Sequence, residues 1–172
     1  MTEPLLILMC GLSFAGKTTL ARTLASHYGW HYLSLDLVNT ERGVGLDGNA
    51  ISPQEWTLTY TEAYRRMQEA LRAGHSVVYD ETNFLRAQRD QLRSIAARYQ
   101  AEPYVLYVAT SEAEARRRWQ HNRITRQRGD VRDDDFALAV ERFEPPTADE
   151  RVLRYNPTVP IDTWIMQTCQ TL

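Results

Sequence analysis

The stretch Ile7 to Ala25, ILMCGLSFAGKTTLARTLA, decides how the chain folds. An apolar run of strand length gives way to a glycine, four residues, a second glycine, lysine and threonine, and a helical pattern follows at once. Strand, glycine-rich turn and helix form the context in which this spacing becomes an anion-binding loop. Glycines let the backbone curl so that successive N–H groups converge on one point, and the helix N-terminus adds its partial positive charge. Lys17 is the single lysine among the twenty basic residues; the rest are arginine. An ammonium on a flexible stem fits inside such a cradle, whereas a planar guanidinium demands a different geometry.

Working outward, further apolar runs lie at His31 to Leu35, Ser76 to Tyr79, Tyr104 to Val108 and, less clearly, Val159 to Ile165. Helical patterns alternate with them. Ser52, Pro53 and Glu55 form a helix start with a capping box, and Trp56, Tyr60, Ala63, Tyr64, Met67, Ala70 and Leu71 recur at helical spacing up to Gly74. Burial alone produces that spacing, so the aromatic residues read first as core. Leu85, Leu92, Ile95, Ala96 and Tyr99 mark a second such face, and Phe136, Val140 and Phe143 a third before Pro145 and Pro146. Ser111 and Glu114 suggest another capping box. The longest loops are expected at Asn39 to Ile51 and Arg123 to Asp133. Strands alternating with helices predict an α/β fold in three layers, a five-stranded parallel sheet flanked by helices, with a short arginine-rich lid at about 116–135. With 172 residues the chain reads as one domain, 1–172.

Twenty basic and twenty-two acidic residues leave a net charge of −2, which excludes a strong field for duplex DNA or an anionic membrane. Cys10 and Cys169 have neither the number nor the spacing of a zinc site or disulfide framework and read as buried thiols. The run LLILM is too short for a signal-peptide core or a membrane span, so a cytoplasmic location is expected. Composition does not define an oligomeric state.

The chemistry follows from the loop. Gly11, Ser13, Ala15, Gly16, Lys17, Thr18 and Thr19 are the expected phosphate-binding residues, with Lys17 on the terminal phosphates and the Thr18 hydroxyl on Mg²⁺. In open parallel sheets, ligands gather beyond the carboxyl ends of the strands, where HYLSLD ends in Asp36 and SVVYDETN brings Asp80 and Glu81. Asp80 is assigned to the metal's water shell, a role in which Glu81 cannot be separated from it, and Asp36 to accepting a proton from an acceptor hydroxyl. Helix-cap and turn-forming roles are the alternatives for the two aspartates. In ARRRWQHNRITRQRGDVRDDDF, Arg116 to Arg118 fit a solvated helix face at least as well as a functional one. Arg123, Arg126 and Arg128 lie where helix should give way to loop, so they can swing over the phosphates and exclude water.

With these pieces together, the chain resembles the P-loop kinases related to zeta toxin, chloramphenicol phosphotransferase and the kinase module of polynucleotide kinases. The resemblance rests on GLSFAGKTTLA, YLSLD, VVYDETN, NRITRQRGDV, FEPP at Phe143 to Pro146, and NPTVPIDT, in that order. It implies the P-loop NTPase fold and transfer of the γ-phosphate of ATP, with Mg²⁺, to a hydroxyl. Asp36 would match the general base and Arg123, Arg126 and Arg128 the lid arginines. Asn156, Pro157 and Thr158 would fall near the adenine. Polynucleotide kinases tend to place a basic residue soon after the base aspartate, and DLVNTER delays it to Arg42. A small-molecule hydroxyl acceptor, such as a sugar, a nucleoside-like metabolite or an antibiotic, is therefore expected. A 5′-hydroxyl polynucleotide, with nucleic acid as partner, stays open with less support, as does a nucleotide-dependent switch without transfer. The acceptor pocket is expected to draw on Asn39 to Ile51, the helix after Pro53, and Glu81 to Phe84.

Overall fold

Strand β1, Leu5–Cys10, is covered on both faces, and its unbroken apolar sequence is what such a position requires. It pairs in parallel with β3, Val77–Asp80, on one side and β4, Glu102–Val108, on the other. Beyond β3 lies β2, His31–Ser34, and beyond β4 lies β5, Val152–Tyr155, so the order is β2-β3-β1-β4-β5 with every pairing parallel. The computed structural model describes residues 3–45 and 50–168. Cys169 and positions 46–49 of the Asn39 to Ile51 loop lie outside the described residues.

Alternation of side chains along β1 builds two cores. Leu6, Leu8 and Cys10 face α3, Pro53–Arg72, and α4, Arg86–Arg98, through Met67, Leu71, Leu92 and Ala96. Ile7 and Met9 face α1, Lys17–Tyr28, through Leu20, Ala21 and Leu24. Each fully buried aliphatic side chain in these layers contributes about 1.5–3 kcal/mol. A third, smaller cluster stands outside the sheet. Phe14 meets Ala115 and Trp119 of α5, Glu112–Thr125, and Phe136 of α6, Asp133–Glu141. Trp119 and Phe136 stack with ring centroids 4.4 Å apart. The arginine-rich segment is therefore a packed helical pair with a loop at 126–132.

Three sequence expectations change. The fifth strand is Val152–Tyr155 rather than Val159 to Ile165, and Ile161–Thr168 is a helix, α7. The strand was hidden because it is short and its Arg154 points to solvent, as an edge position allows. Pro160 directly precedes α7, whose Trp164 and Ile165 are buried, and the Trp164 indole N–H donates to the Arg154 carbonyl at 3.1 Å. Second, β2 ends at Ser34, and Leu35–Arg42 forms helix α2 where loop was expected from Asn39. The Ser34 hydroxyl accepts from the Leu37 N–H at 3.1 Å, and Gly43, at φ 71°, ends the helix in the left-handed region. Third, Ser52 caps α3 by accepting from the Glu55 N–H, but the Glu55 carboxylate turns to Arg42 instead of closing a box. Ser111 likewise caps α5 through the Glu114 N–H, while the Glu114 carboxylate pairs with Arg117 and Arg118.

Candidate functional site

The carboxyl ends of β1, β3 and β4 meet at the loop between β1 and α1. Gly11, at φ 145°, leaves β1 with its N–H donating to the Thr82 carbonyl at 3.1 Å. A Cβ at this position would lie 2.9 Å from the Val108 carbonyl oxygen, so only glycine lets the loop turn this close to β4. Gly16, at φ 103°, is the N-cap of α1, and no side chain caps that helix end. The Ala15 carbonyl is held from outside by the Thr110 hydroxyl at 2.7 Å and the Arg118 guanidinium at 3.3 Å. Ser13 and Thr18 are half-buried, and Thr19 is exposed.

Lys17 is buried and its ammonium donates to the Leu12 carbonyl at 2.7 Å. Burial pulls its pKa down, and the neighbouring Asp80 and Glu81 carboxylates work the other way. Asp80, the last residue of β3, is buried and accepts from the Tyr32 hydroxyl at 2.7 Å. Glu81 accepts from the Thr82 N–H at 2.7 Å and the Thr82 hydroxyl at 2.9 Å. Burial nevertheless holds its pKa up, against those bonds and Lys17, while Asp36 adds to the rise. Asp36 is therefore close enough to act on Glu81. It sits in the first turn of α2 and is exposed, two residues past the strand end where the sequence placed it. The cap role falls to Ser34, which leaves the Asp36 carboxylate free of helix capping.

Among the arginines, the structure brings Arg128 to the loop, its guanidinium 4.4 Å over the Phe14 ring and electrostatically coupled to Lys17. Arg123 does not join it. Its guanidinium lies 4.2 Å over the Trp119 ring and pairs with Asp130 and Asp133, so it fastens the lid to itself. Arg126, at φ 51°, is the exposed C-cap of α5. Asn156, Pro157 and Thr158 form a turn after β5, in which the Asn156 side-chain oxygen accepts from the Thr158 N–H at 3.1 Å. The turn lies at the same sheet edge as the loop, because β5 neighbours β4 and the Ala109 N–H donates to the Tyr155 carbonyl at 2.9 Å.

An AAA domain family model matches residues 6–146, most of the chain. The chain belongs to the AAA domain family. The gluconokinase of Gluconobacter oxydans (strain 621H) is 28% identical over 93 residues, 53% of this chain and 52% of that protein, so this AAA domain chain spans about half the length of the curated relative it matches. A protein of Chloroflexus aurantiacus j-10-fl described provisionally as a kinase superposes with a TM-score of 0.76 at 19% identity, covering 99% of this chain and 100% of its own. Kti12 of Chaetomium thermophilum, solved with ADP-AlF3, superposes with a TM-score of 0.71 at 21% identity, covering 96% of both chains. The five-stranded parallel sheet flanked by helices is thus the fold these structures share.

Several residues of this AAA domain site were not legible beforehand. Arg118 looked like one of three solvated arginines; its reach to Ala15 depends on the angle at which α5 crosses the loop. Arg89 and Glu150 form a buried pair, at 2.7 and 3.1 Å, beneath the site. Arg89 also donates to the Asn83 carbonyl at 2.9 Å, and the Asn83 amide donates to Met9 at 2.7 Å, so the pair holds the β3 exit against β1. Cys10 donates its thiol to the same Asn83 carbonyl, at 3.5 Å, and burial raises its pKa to about 11. Thr18, at the start of α1, and Asp80, at the carboxyl end of β3, are a hydroxyl and a carboxylate of the hard-oxygen kind that Mg²⁺ takes, and one Asp80 oxygen already accepts from Tyr32. No cluster of three His, Cys, Asp or Glu ligands occurs among the described residues. None of the described helices is long and apolar enough to cross a membrane.

Proposed function

We propose that this AAA domain protein is an ATP-dependent kinase that transfers the γ-phosphate to a hydroxyl of a small-molecule acceptor. The observation that carries the reading is the convergence, at one sheet edge, of a buried ammonium in a glycine loop with Asp80, Glu81 and the exposed Asp36. The likeness to a gluconokinase supports it.

In this mechanism Lys17 exchanges the Leu12 carbonyl for the β- and γ-phosphate oxygens, and the loop N–H groups from Ser13 to Thr19 hold the rest. Thr18 and Asp80 would hold Mg²⁺, which would neutralise phosphate charge when bound. Asp36 orients the acceptor hydroxyl and takes its proton as the new oxygen–phosphorus bond forms and the bond to the β-phosphate oxygen breaks. Arg128 stabilises charge on the transferred group, with Arg126 able to join when the lid closes. Arg123 braces the lid, and Asn156 to Thr158 flank the base of the nucleotide.

The test is transfer of labelled γ-phosphate from Mg·ATP into sugars, amino sugars, nucleosides and 5′-hydroxyl oligonucleotides, with Asp36→Asn in parallel. Label in one class that falls by about 10²-fold or more in the variant, with nucleotide binding retained, is the expected result. Label appearing only as free phosphate, equally in both proteins, would replace the kinase with a nucleotide-hydrolysing switch.

A further inference from the structure

In the parallel register of β2 with β3, Tyr32 pairs with Val78 and Ser34 pairs with Asp80. Side chains two positions apart on a strand share a face, so these four stand on the same side of the sheet. It is the side covered by α1, where Tyr32 packs against the layer that contains Val78, Leu20 and Leu24. Ser34, directly opposite Asp80, has a short side chain whose oxygen accepts the Leu37 N–H at the start of α2. Only a long side chain reaches the carboxylate from the diagonal position. The Tyr32 phenol does so, donating to one Asp80 oxygen at 2.7 Å. An ionised carboxylate only accepts, so the direction of this bond is fixed.

Among the described residues, Tyr32 is the one hydrogen-bond donor to the Asp80 carboxylate. The second Asp80 oxygen has no protein donor, yet it is not sealed in, since the Tyr79 hydroxyl is the only enclosed and unpartnered side-chain oxygen or nitrogen among those residues. The adjacent Glu81 differs. One of its oxygens takes both the Thr82 N–H, at 2.7 Å, and the Thr82 hydroxyl, at 2.9 Å, which turns the carboxylate back onto its own chain. Tyr32 is itself held in place: it is half-buried, and the Arg22 guanidinium of α1 lies 5.3 Å over its ring. Helix α1 also begins at the phosphate loop and carries Thr18 there. One helix therefore bears the hydroxyl assigned to Mg²⁺ and braces the ring that orients the carboxylate.

Resting on the kinase reading of the site, we infer that Tyr32 is a positioning residue: by occupying one Asp80 oxygen it fixes the carboxylate and presents the other oxygen toward the nucleotide's Mg²⁺, which makes Asp80, rather than Glu81, the carboxylate on the metal side. Partners of this kind orient the groups nearest a metal, and their loss typically lowers metal affinity or activity by about 10–100-fold. Tyr32 acts through Asp80 alone. The fold does not depend on its hydroxyl, because β2 is held to β3 by backbone pairing from His31 to Ser34.

The experiment titrates a non-hydrolysable ATP analogue calorimetrically into the full chain, first with EDTA and then at a series of Mg²⁺ concentrations, and reads the Mg²⁺ concentration that gives half of the gain in affinity. The parent, Tyr32→Phe, Asp80→Asn, Glu81→Gln and the double variant Tyr32→Phe with Asp80→Asn are compared, with thermal melts to verify folding. Tyr32→Phe should raise that midpoint about tenfold or more, keep the affinity in EDTA within about twofold, and add nothing further in the Asp80→Asn background. Glu81→Gln should move the midpoint less than Asp80→Asn. A Tyr32→Phe protein with a lower Tm and an unmoved midpoint would overturn the inference, because the hydroxyl would then be only structural. So would a shift of the same size in both backgrounds, a larger shift in Glu81→Gln than in Asp80→Asn, or a parent whose affinity does not respond to Mg²⁺. The two readings separate: the expected shifts without phosphoryl transfer to any acceptor would retain the role of Tyr32 and remove the kinase, whereas transfer with an unmoved midpoint in Tyr32→Phe would retain the kinase and remove the role.

Discussion

Arg128 lies over Phe14 at 4.4 Å, which ties the loop of the lid directly to the middle of the phosphate loop. Phe14 itself stands at φ 63°, a conformation that costs a side-chain-bearing residue about 1–2 kcal/mol. Its ring offsets this by packing beside Trp119 and Phe136. Phe14→Gly should relieve the backbone but lose a buried aromatic contact of about 3–5 kcal/mol, for a net loss of about 1–4 kcal/mol. A thermal melt checks the sign, and a rise in Tm would mean that backbone strain outweighs the lid contact.

Arg128 and Arg123 should separate in kinetics. Arg128→Ala removes the lid guanidinium that lies over Phe14 and should lower kcat about tenfold or more. Arg123→Ala breaks the contacts to Trp119, Asp130 and Asp133. It should lower the stability of the lid and change kcat less. Hydrogen exchange across 116–135, measured beside kcat for both variants, distinguishes bracing from charge stabilisation.

Gly11→Ala should be among the most damaging single-carbon changes. The new Cβ would meet the Val108 carbonyl at 2.9 Å, and the backbone at φ 145° disfavours any side chain. Because the obstacle is backbone, the loop must move, and nucleotide affinity should fall about tenfold or more as N–H groups leave the phosphate. Nucleotide titration of the purified variant measures this.

Arg89 and Glu150 give the protein a defined response to acid. Burial tends to raise the Glu150 pKa, but hydrogen bonds from Arg89 and from the Thr147 N–H outweigh it and hold it below the usual carboxylate range. A folded pKa below the unfolded value of about 4.3 means stability that is present above that pH and is lost as pH falls through the folded value. Arg89→Met leaves the buried Glu150 carboxylate only Arg86, at 3.6 Å, and Thr147 as partners, and should cost about 2–4 kcal/mol at neutral pH. Its Glu150 then has a raised pKa, so the deficit relative to the parent should shrink on acidification. Denaturant melts from pH 7 to pH 4 on both proteins check the magnitude and the direction.

The sequence carried the sheet centre and the loop because both are written in local terms: a continuous apolar strand, glycines at fixed offsets, a lysine where the helix begins. It misplaced β5, since four residues with an exposed arginine at a sheet edge look less like a strand than the apolar run containing Trp164 and Ile165. Asp36 was read as ending a strand, and its helical setting was not legible, because Ser34 ends the strand and caps α2 within a few residues. The lid arginines were grouped by spacing alone, whereas their directions depend on Trp119, Phe14 and two aspartates, Asp130 and Asp133, from later in the chain. Tyr60 and Tyr64 matched a core face, and both pack half-buried against that core. Nothing local in the sequence pairs Arg89 with Glu150, 61 positions away.

The stack of Trp119 on Phe136, under Arg123, also makes the molecule its own optical probe. Of the four tryptophans, Trp119 reports on the lid and Trp56 on the α3 face expected to border an acceptor, while Trp30 and Trp164 lie in the opposite layer. With Trp30 and Trp164 replaced by phenylalanine, emission from the remaining two would register nucleotide arrival and acceptor arrival as separate events. The order in which the two compounds bind then becomes visible in real time without an attached dye.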